Sequence, residues 1–416
     1  MEWPRVELGR VVRIRNGTID PSRFPDETFE LFSIPGFDEA RSEVTSGDAI
    51  KSNKTAVVPG DVLFSKLNPR IQRVWVVPQT RGSRQISSTE FWPLVCDSKV
   101  IDRQYLRHFL LSPGVRDRLS PSTEAATKSR SRIKPYQLLS ERIPLPPLSE
   151  QRRIVEILDQ ADRLRRLRTE ADAKADRILP ALFIKMFGDP ATNPMGWPVV
   201  PLGQLGRPLS GGAFPISEQG LTDGEVPFIK VSDMNTEGNE WFIRRANNYV
   251  SLAALRRLKV TPAPGGTTVF PKIGAAVATN KKRLLVQETA YDNNVIGVIP
   301  RDSKYSAYLF GFFQLFDLRT LARSTALPSI KTSELARLPV PKPRPQLAES
   351  FAARFLALSE TRDAAVRGRR RIDDFFQVLM HQAFSGPLTA SWREARMKEL
   401  LQEMEQQAQI LREVHK

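Results

Sequence analysis

The sequence predicts an α+β chain of two tandem strand-rich modules, each followed by a long helix, the two helices packing as an antiparallel coiled coil. Three observations predict it. Nearly the whole chain repeats at a period of about 200 residues, two glycine-poor runs share one apolar register, and β-branched and aromatic segments alternate with turn residues. A length of 416 residues exceeds one compact domain, and a 41% hydrophobic content is enough to bury several cores.

The first module is expected over residues 1–147. Its strands are read in "RVWVV" (73–77) and "EFWPLV" (90–95), and a helix in "RQYLRHFLLSPGVRDRL". The second, over 188–345, repeats the pattern with "VPFIKV" (226–231), "NVIGVI" (294–299) and the helix "SAYLFGFFQLFDLRTL". Two alignments tie the modules together. "VVPGDVLFSKL" (57–67) sets Phe64-Ser65-Lys66 on Phe270-Pro271-Lys272 of "PAPGGTTVFPKIG", and "SRIKPYQLLSERIPLPPLSEQ" (131–151) sets Ile133-Lys134 on Ile330-Lys331. So long a period means a duplicated globular module rather than a solenoid.

The first long helix is expected over 148–187, with Ser149 as N-cap and a kink near its end at Pro180. The second is expected over 346–385, with Phe351, Phe355, Leu358, Arg362, Ala365, Arg369, Ile372, Phe376, Leu379 and Ala383 in a heptad. A shift of 197 residues gives Ile154, Leu158, Ala161, Arg165, Arg168, Asp172, Ala175, Leu179, Leu182 and Met186 in the first helix. There the middle is charged, and a stripe through Ile157, Leu164, Leu167, Ala171 and Ile178 competes. Such one-sided helices are expected to pair and to space the modules. A separate helix is read over 391–416, opened by a capping box from Ser391 to Glu394, with Met397, Leu400, Met404, Ala408 and Leu411 at heptad spacing.

Charge narrows the partner. The formal net charge is +16, and residues 51–150 carry 17 Lys and Arg against 8 Asp and Glu, which points to a polyanion, most commonly nucleic acid. Cys96 is the single cysteine, and His108, His381 and His415 are scattered, so neither a disulfide framework nor a Cys/His metal site is expected. With no apolar leader in "MEWPRVELGR" and no membrane-length apolar run, the expectation is a cytoplasmic protein with no cofactor. A phosphate-binding G-x-x-x-x-G-K-[ST] loop is absent. The Asn/Asp-Pro-Pro-aromatic segment of amino-methyltransferases is absent too, "LNPRI" and "TNPMG" being the nearest strings. No catalytic residue is assigned, although scattered carboxylates leave a metal-dependent nuclease open.

Binding residues are easier to name. "TKSRSRIK" places Lys128, Arg130, Arg132 and Lys134 at every second position, which in extended chain turns four cations to one face, suited to a phosphate backbone. "SKLNPRIQR" adds Lys66, Asn68, Arg70 and Arg73; the second module offers Lys272, Lys281, Lys282, Arg283 and Lys331. Arg and Asn also read guanine and adenine edges. Sequence alone does not divide these residues into base readers and phosphate contacts.

Taken in order, "PGDVLFSKLNPR", "IPLPPLSEQRRIVEILD", "LFIKMFGDPATNPMGWP" and "MHQAFSGPLTASWR" resemble the specificity subunit of type I restriction-modification systems. The resemblance covers about residues 1–393. It implies two target-recognition domains, each reading half of a bipartite site on double-stranded DNA. The helix pair between them would dock two modification (methyltransferase) subunits and, with them, restriction/translocase subunits. DNA methylation and cleavage, in defence against foreign DNA, would belong to those partners, and this chain would be non-catalytic. "KPRPQLAE" departs from the "PPLSEQ" pattern, and the helix over 391–416 runs past the end of many members. Two rival readings are a single-chain endonuclease or methyltransferase, which would cleave DNA or bind S-adenosylmethionine unaided, and a coiled-coil adaptor without affinity for DNA.

Overall fold

The computed structural model describes residues 3–80, 82–120, 131–322 and 328–413. The chain forms two compact units, Met1–Leu167 with Arg370–Lys416, and Arg168–Arg369. Each unit therefore contains one module and a stretch of both long helices.

In the first unit, strands Val12–Ile14, Phe91–Cys96, Val62–Ser65 and Val74–Val76 form one antiparallel sheet in that order. A second sheet orders Thr18–Ile19, Lys54–Ala56, Arg84–Ser88, Thr28–Phe32 and Glu43–Ser46, with Thr28–Phe32 parallel to Arg84–Ser88. The predicted strands at 73–77 and 90–95 are present. The predicted helix "RQYLRHFLLSPGVRDRL" is two, Arg103–Leu110 and Pro113–Leu119. Pro113 is tolerated at the first turn of a new helix, because the N–H it lacks would have no partner there. Leu106, Phe109 and Leu110 turn inward onto Val62, Phe64 and Leu94.

The second unit repeats this plan. Gly206–Ser210, Val295–Pro300, Thr268–Pro271, Arg283–Leu285 and Phe242–Ile243 form its larger sheet. Tyr249–Val250, Val226–Ile229 and Ala290–Tyr291 form the smaller. The predicted helix begins at Ser306 and gives way after Leu315 to a 3-10 turn at Leu318–Leu321. Its Gly311 is a packing requirement: a Cβ there would lie 2.7 Å from the Phe183 ring and 2.9 Å from the Phe351 ring. Phe183 also stacks on Tyr308, with centroids 5.3 Å apart, and the cluster extends through Phe187 and Phe351. Truncating one such aromatic to Ala costs about 3–5 kcal/mol.

Both modules are closed by one short antiparallel ladder in a matching register. Val6 lies opposite Ile143 in the first, and Val200 opposite Val340 in the second. Tyr105 donates its hydroxyl to the Pro144 carbonyl, and Tyr308 does the same to Pro341.

The long helices are Leu148–Ala175 with Ile178–Phe187, and Pro345–Ser385. In the first unit, Ile154, Leu158 and Ala161 join Phe376, Leu379, Met380 and Ala383 in one core. In the second, Leu179, Phe183 and Phe187 join Ala348, Phe351 and Phe355. An early stretch of one helix meets a late stretch of the other in each case, so each unit contains an antiparallel pairing. The charged middle is matched by ion pairs, Arg165 to Asp373 at 2.8 Å and Arg362 to Asp176 at 3.4 Å. The competing stripe faces water, with Leu164 and Leu167 60% and 51% exposed.

Four local expectations are corrected. The first helix does not run unbroken into a kink at Pro180; it ends at Ala175 and restarts at Ile178. The proline ring clashes with the carbonyl four residues back, that of Asp176, where the break falls. Ser149 is not the N-cap but lies inside the first turn, where its N–H and hydroxyl both donate to Glu403 of the tail. No Ser391–Glu394 capping box forms, since Ser391 is already inside the helix Ala390–Glu394, which follows a 3-10 turn at Pro387–Thr389. The tail helix proper, Met397–Glu413, buries Leu400 and Gln407 and leaves Ala408 exposed, so its inner stripe departs from the expected heptad.

Candidate nucleic-acid interface

The strongest shared feature of the two modules is a clasp between two loops. In the first module, strand Val62–Ser65 runs into Lys66-Leu67-Asn68. The Lys66 carbonyl accepts from Ile133 N–H at 3.2 Å, Leu67 bridges Arg132, and Asn68 N–H donates to Ser131 at 2.8 Å. In the second, Thr268–Pro271 runs into Lys272-Ile273-Gly274. Lys272 accepts from Ile330 N–H at 2.9 Å, Ile273 bridges Ser329, and Gly274 N–H donates to Pro328 at 2.7 Å. Each clasp thus joins the loop after a central strand to the segment before the "IK" pair, by the same backbone bonds.

The clasp sorts the cations. Lys134 is exposed, and Lys66 lies near enough to Glu90 to help lower its carboxyl pKa. Arg132 grips Glu90 with two bonds, at 2.9 and 3.0 Å, which holds the Glu90 carboxyl below the usual carboxylate range. Ile133 is buried between exposed Arg132 and Lys134, as extended alternation requires. Arg70 is half-buried in the same loop, and Asn68 has a left-handed φ of 51°. Lys128 and Arg130 lie outside the described residues.

Three of the expected DNA-binding side chains are redirected by the structure. Arg73 is only 11% exposed and is committed to Asp38 through bonds of 2.7 and 2.9 Å, which lower the Asp38 carboxyl pKa. Lys282 is 3% exposed and its ammonium donates to the Phe316 carbonyl at 2.8 Å. Burial pulls its pKa down to about 8. Arg283 donates to the carbonyls of Lys282 and Met234, and burial lowers it to about 10. Lys282 and Arg283 thus satisfy backbone carbonyls inside their module. Among the others, Lys272 donates to Ser210 at 2.7 Å, Lys281 bonds Asn235, and exposed Lys331 lies 3.7 Å from Glu334.

The balancing carboxylates, Asp38 and Glu90, were missed in the sequence because they lie 35 and 42 residues from their arginines. The clasp itself was nearly legible. Extending the alignment of Ser65-Lys66 on Pro271-Lys272 by two residues pairs Asn68 with Gly274, the residue types suited to left-handed backbone.

Among the described residues, no three His, Cys, Asp or Glu side chains are grouped to hold a metal ion. No helix among them is long and apolar enough to cross a membrane.

Residues 1–175 match the family of the type I restriction modification DNA specificity domain. No curated protein sequence matches the chain. Solved structures extend the likeness over nearly its whole length. A chain from work on complex assembly and conformational transition of the type I R-M system is 19% identical, with a TM-score of 0.58 over 93% of this chain and 98% of that one. The type I restriction-modification S subunit from M. genitalium is 13% identical, with a TM-score of 0.52 over 92% and 96%. The HsdS subunit from Thermoanaerobacter tengcongensis is 20% identical, with a TM-score of 0.41 over 93% and 97%. The likeness in sequence is therefore to a type I DNA specificity domain, over the N-terminal 175 residues. Beyond them the chain shares the fold of the type I R-M chain and of the M. genitalium S subunit, mixed strands and long helices included.

Proposed function

We propose that the chain is the sequence-reading, non-catalytic specificity subunit of a type I restriction-modification complex. The observation that carries this reading is the doubled clasp. A single binding module needs one, whereas two modules that repeat the same loop-to-loop bonds are suited to two half-sites of one bipartite DNA sequence. The side chains borne by the two clasps differ, Lys66, Asn68, Arg70, Arg132 and Lys134 in one against Lys272, Lys281 and Lys331 in the other, so the half-sites they read should differ. The long helices then set the spacing between half-sites and carry two methyltransferase subunits, with restriction/translocase subunits joining them, in the cytoplasm.

The test exchanges residues 196–345 for the equivalent segment of a relative and maps methylated adenines in cells expressing the chimaera with its partners. Change in one half of the methylated sequence is expected. Change in both halves, or in neither, would overturn independent reading.

A further inference from the structure

The matched ladders that close the two modules place Trp3 over Trp197, Pro146 over Pro343 and Ser149 over Gln346. One of the two junctions between module and helix is filled, and the other is open. In the first unit the tail helix occupies it. Glu403 accepts from the N–H and hydroxyl of Ser149, at 3.2 and 2.9 Å. Gln407 donates to the carbonyls of Val100 and Pro146, at 2.7 and 3.3 Å, the same two carbonyls that Gln151 reaches. Leu400 is buried beneath.

In the second unit the corresponding place is a cavity of about 900 Å³, lined by Trp197, Leu205, Tyr305, Lys342, Pro343 and Arg344 among others. Its floor is apolar and already satisfied, because Tyr305 donates its hydroxyl to the Pro343 carbonyl, the counterpart of the Pro146 carbonyl reached by Gln407. Its rim is basic. Lys342 and Arg344 are exposed and have no side-chain partner among the described residues. Met195, 48% exposed, adds apolar surface at the edge.

We propose that this junction binds an acidic amphipathic helix of a partner protein, seated as the tail is seated in the first unit. The tail shows the chemistry: over Met397–Glu413 it carries Glu399, Glu403, Glu405 and Glu413 against Lys398 and Arg412. A basic rim over an apolar floor complements such a helix in both charge and hydrophobicity. The chain's own tail is already held by Glu403, Gln407 and Leu400, so the occupant comes from another protein. This proposal stands independently of DNA reading.

The probe is a fluorescent synthetic peptide of residues 397–413, titrated into the full chain and followed by anisotropy. One site is expected, weakened at least about ten-fold by Lys342→Glu with Arg344→Glu and further by added salt. Both positions are exposed, and an unchanged circular dichroism spectrum and melting curve verify the fold of the variant. A peptide with Glu399, Glu403 and Glu405 changed to Gln should bind at least about ten-fold less tightly. Absence of binding would overturn the proposal. So would binding unaffected by the double variant, which would mean exchange with the resident tail, and equal binding of the neutral peptide.

Discussion

Asn68 and Gly274 hold the same place in the two modules, at φ of 51° and 70°, and each turns its N–H onto the segment that completes the clasp. Gly274 also has ψ of −160°, a combination that only glycine adopts without strain. Gly274→Ala should therefore destabilise the second unit by about 1–3 kcal/mol and weaken reading of one half-site. Asn68→Ala should cost less, since Asn tolerates the left-handed region only slightly better than Ala. Chemical denaturation of each variant, with binding to DNA altered in one half-site at a time, measures both effects.

Cations that touch phosphate should be separable from paired charges by salt dependence. Replacing Lys128, Arg130, Arg132 and Lys134 with Ala should weaken every DNA sequence alike and reduce the slope of log K against log salt by up to ~0.9 for each phosphate no longer neutralised. Arg73→Ala, and Arg132→Ala by itself, should leave that slope unchanged, because their charges are already matched by Asp38 and Glu90. Weakening confined to one DNA sequence would instead make the four residues base readers.

The helices should act as a ruler. Seven residues inserted after Thr169 and again near Val366 preserve the heptad register and lengthen the pair by roughly 10 Å at ~1.5 Å per residue. That is about three base pairs at ~3.4 Å. A randomised-gap methylation assay should show a longer preferred spacer. Full activity on the original spacer would show that the helices do not set it.

Buried Lys282 makes a prediction in pH. Its folded value of about 8 lies below that of a lysine in the unfolded chain, about 10.4. The unfolded state therefore holds more protons between those values, and stability rises with pH across the window. The cost of burying the charge is fully present below about pH 8. Lys282→Met should lack this rise, so the gap between variant and wild-type melting temperatures should change between about pH 8 and 10 and stay level from about pH 6 to 7.

Much of this architecture was legible because it rests on local or repeated signals. Alternating β-branched residues marked strands such as Val295–Pro300, and the spacing of Phe351, Phe355, Phe376 and Leu379 marked the buried face of the second helix. What escaped was set by distant neighbours. Ser149 reads as an N-cap until Glu403, 254 residues on, takes both of its donors. Lys282 and Arg283 read as ligand-binding cations in "NKKRLL", yet the carbonyls of Phe316 and Met234 draw them inward. A basic run announces charge; whether that charge is free depends on carboxylates and carbonyls that only the fold brings near.

The ends of the chain are joined through one buried carboxylate. Glu150, fully buried, accepts from Trp3 near the N-terminus and from Thr389 and Arg393 near the C-terminus. This fixes an order of synthesis and folding. The second unit is one continuous stretch and can fold as it leaves the ribosome, whereas the first emerges earlier but waits for residues 370–413. At ~5–20 residues per second the wait is roughly 10–50 s. Throughout it, Ile154 and Leu158 lack Phe376, Leu379 and Met380, and Glu150 lacks its arginine. The half of the protein made first is the half completed last, and the nascent chain offers chaperones a defined apolar surface during that interval.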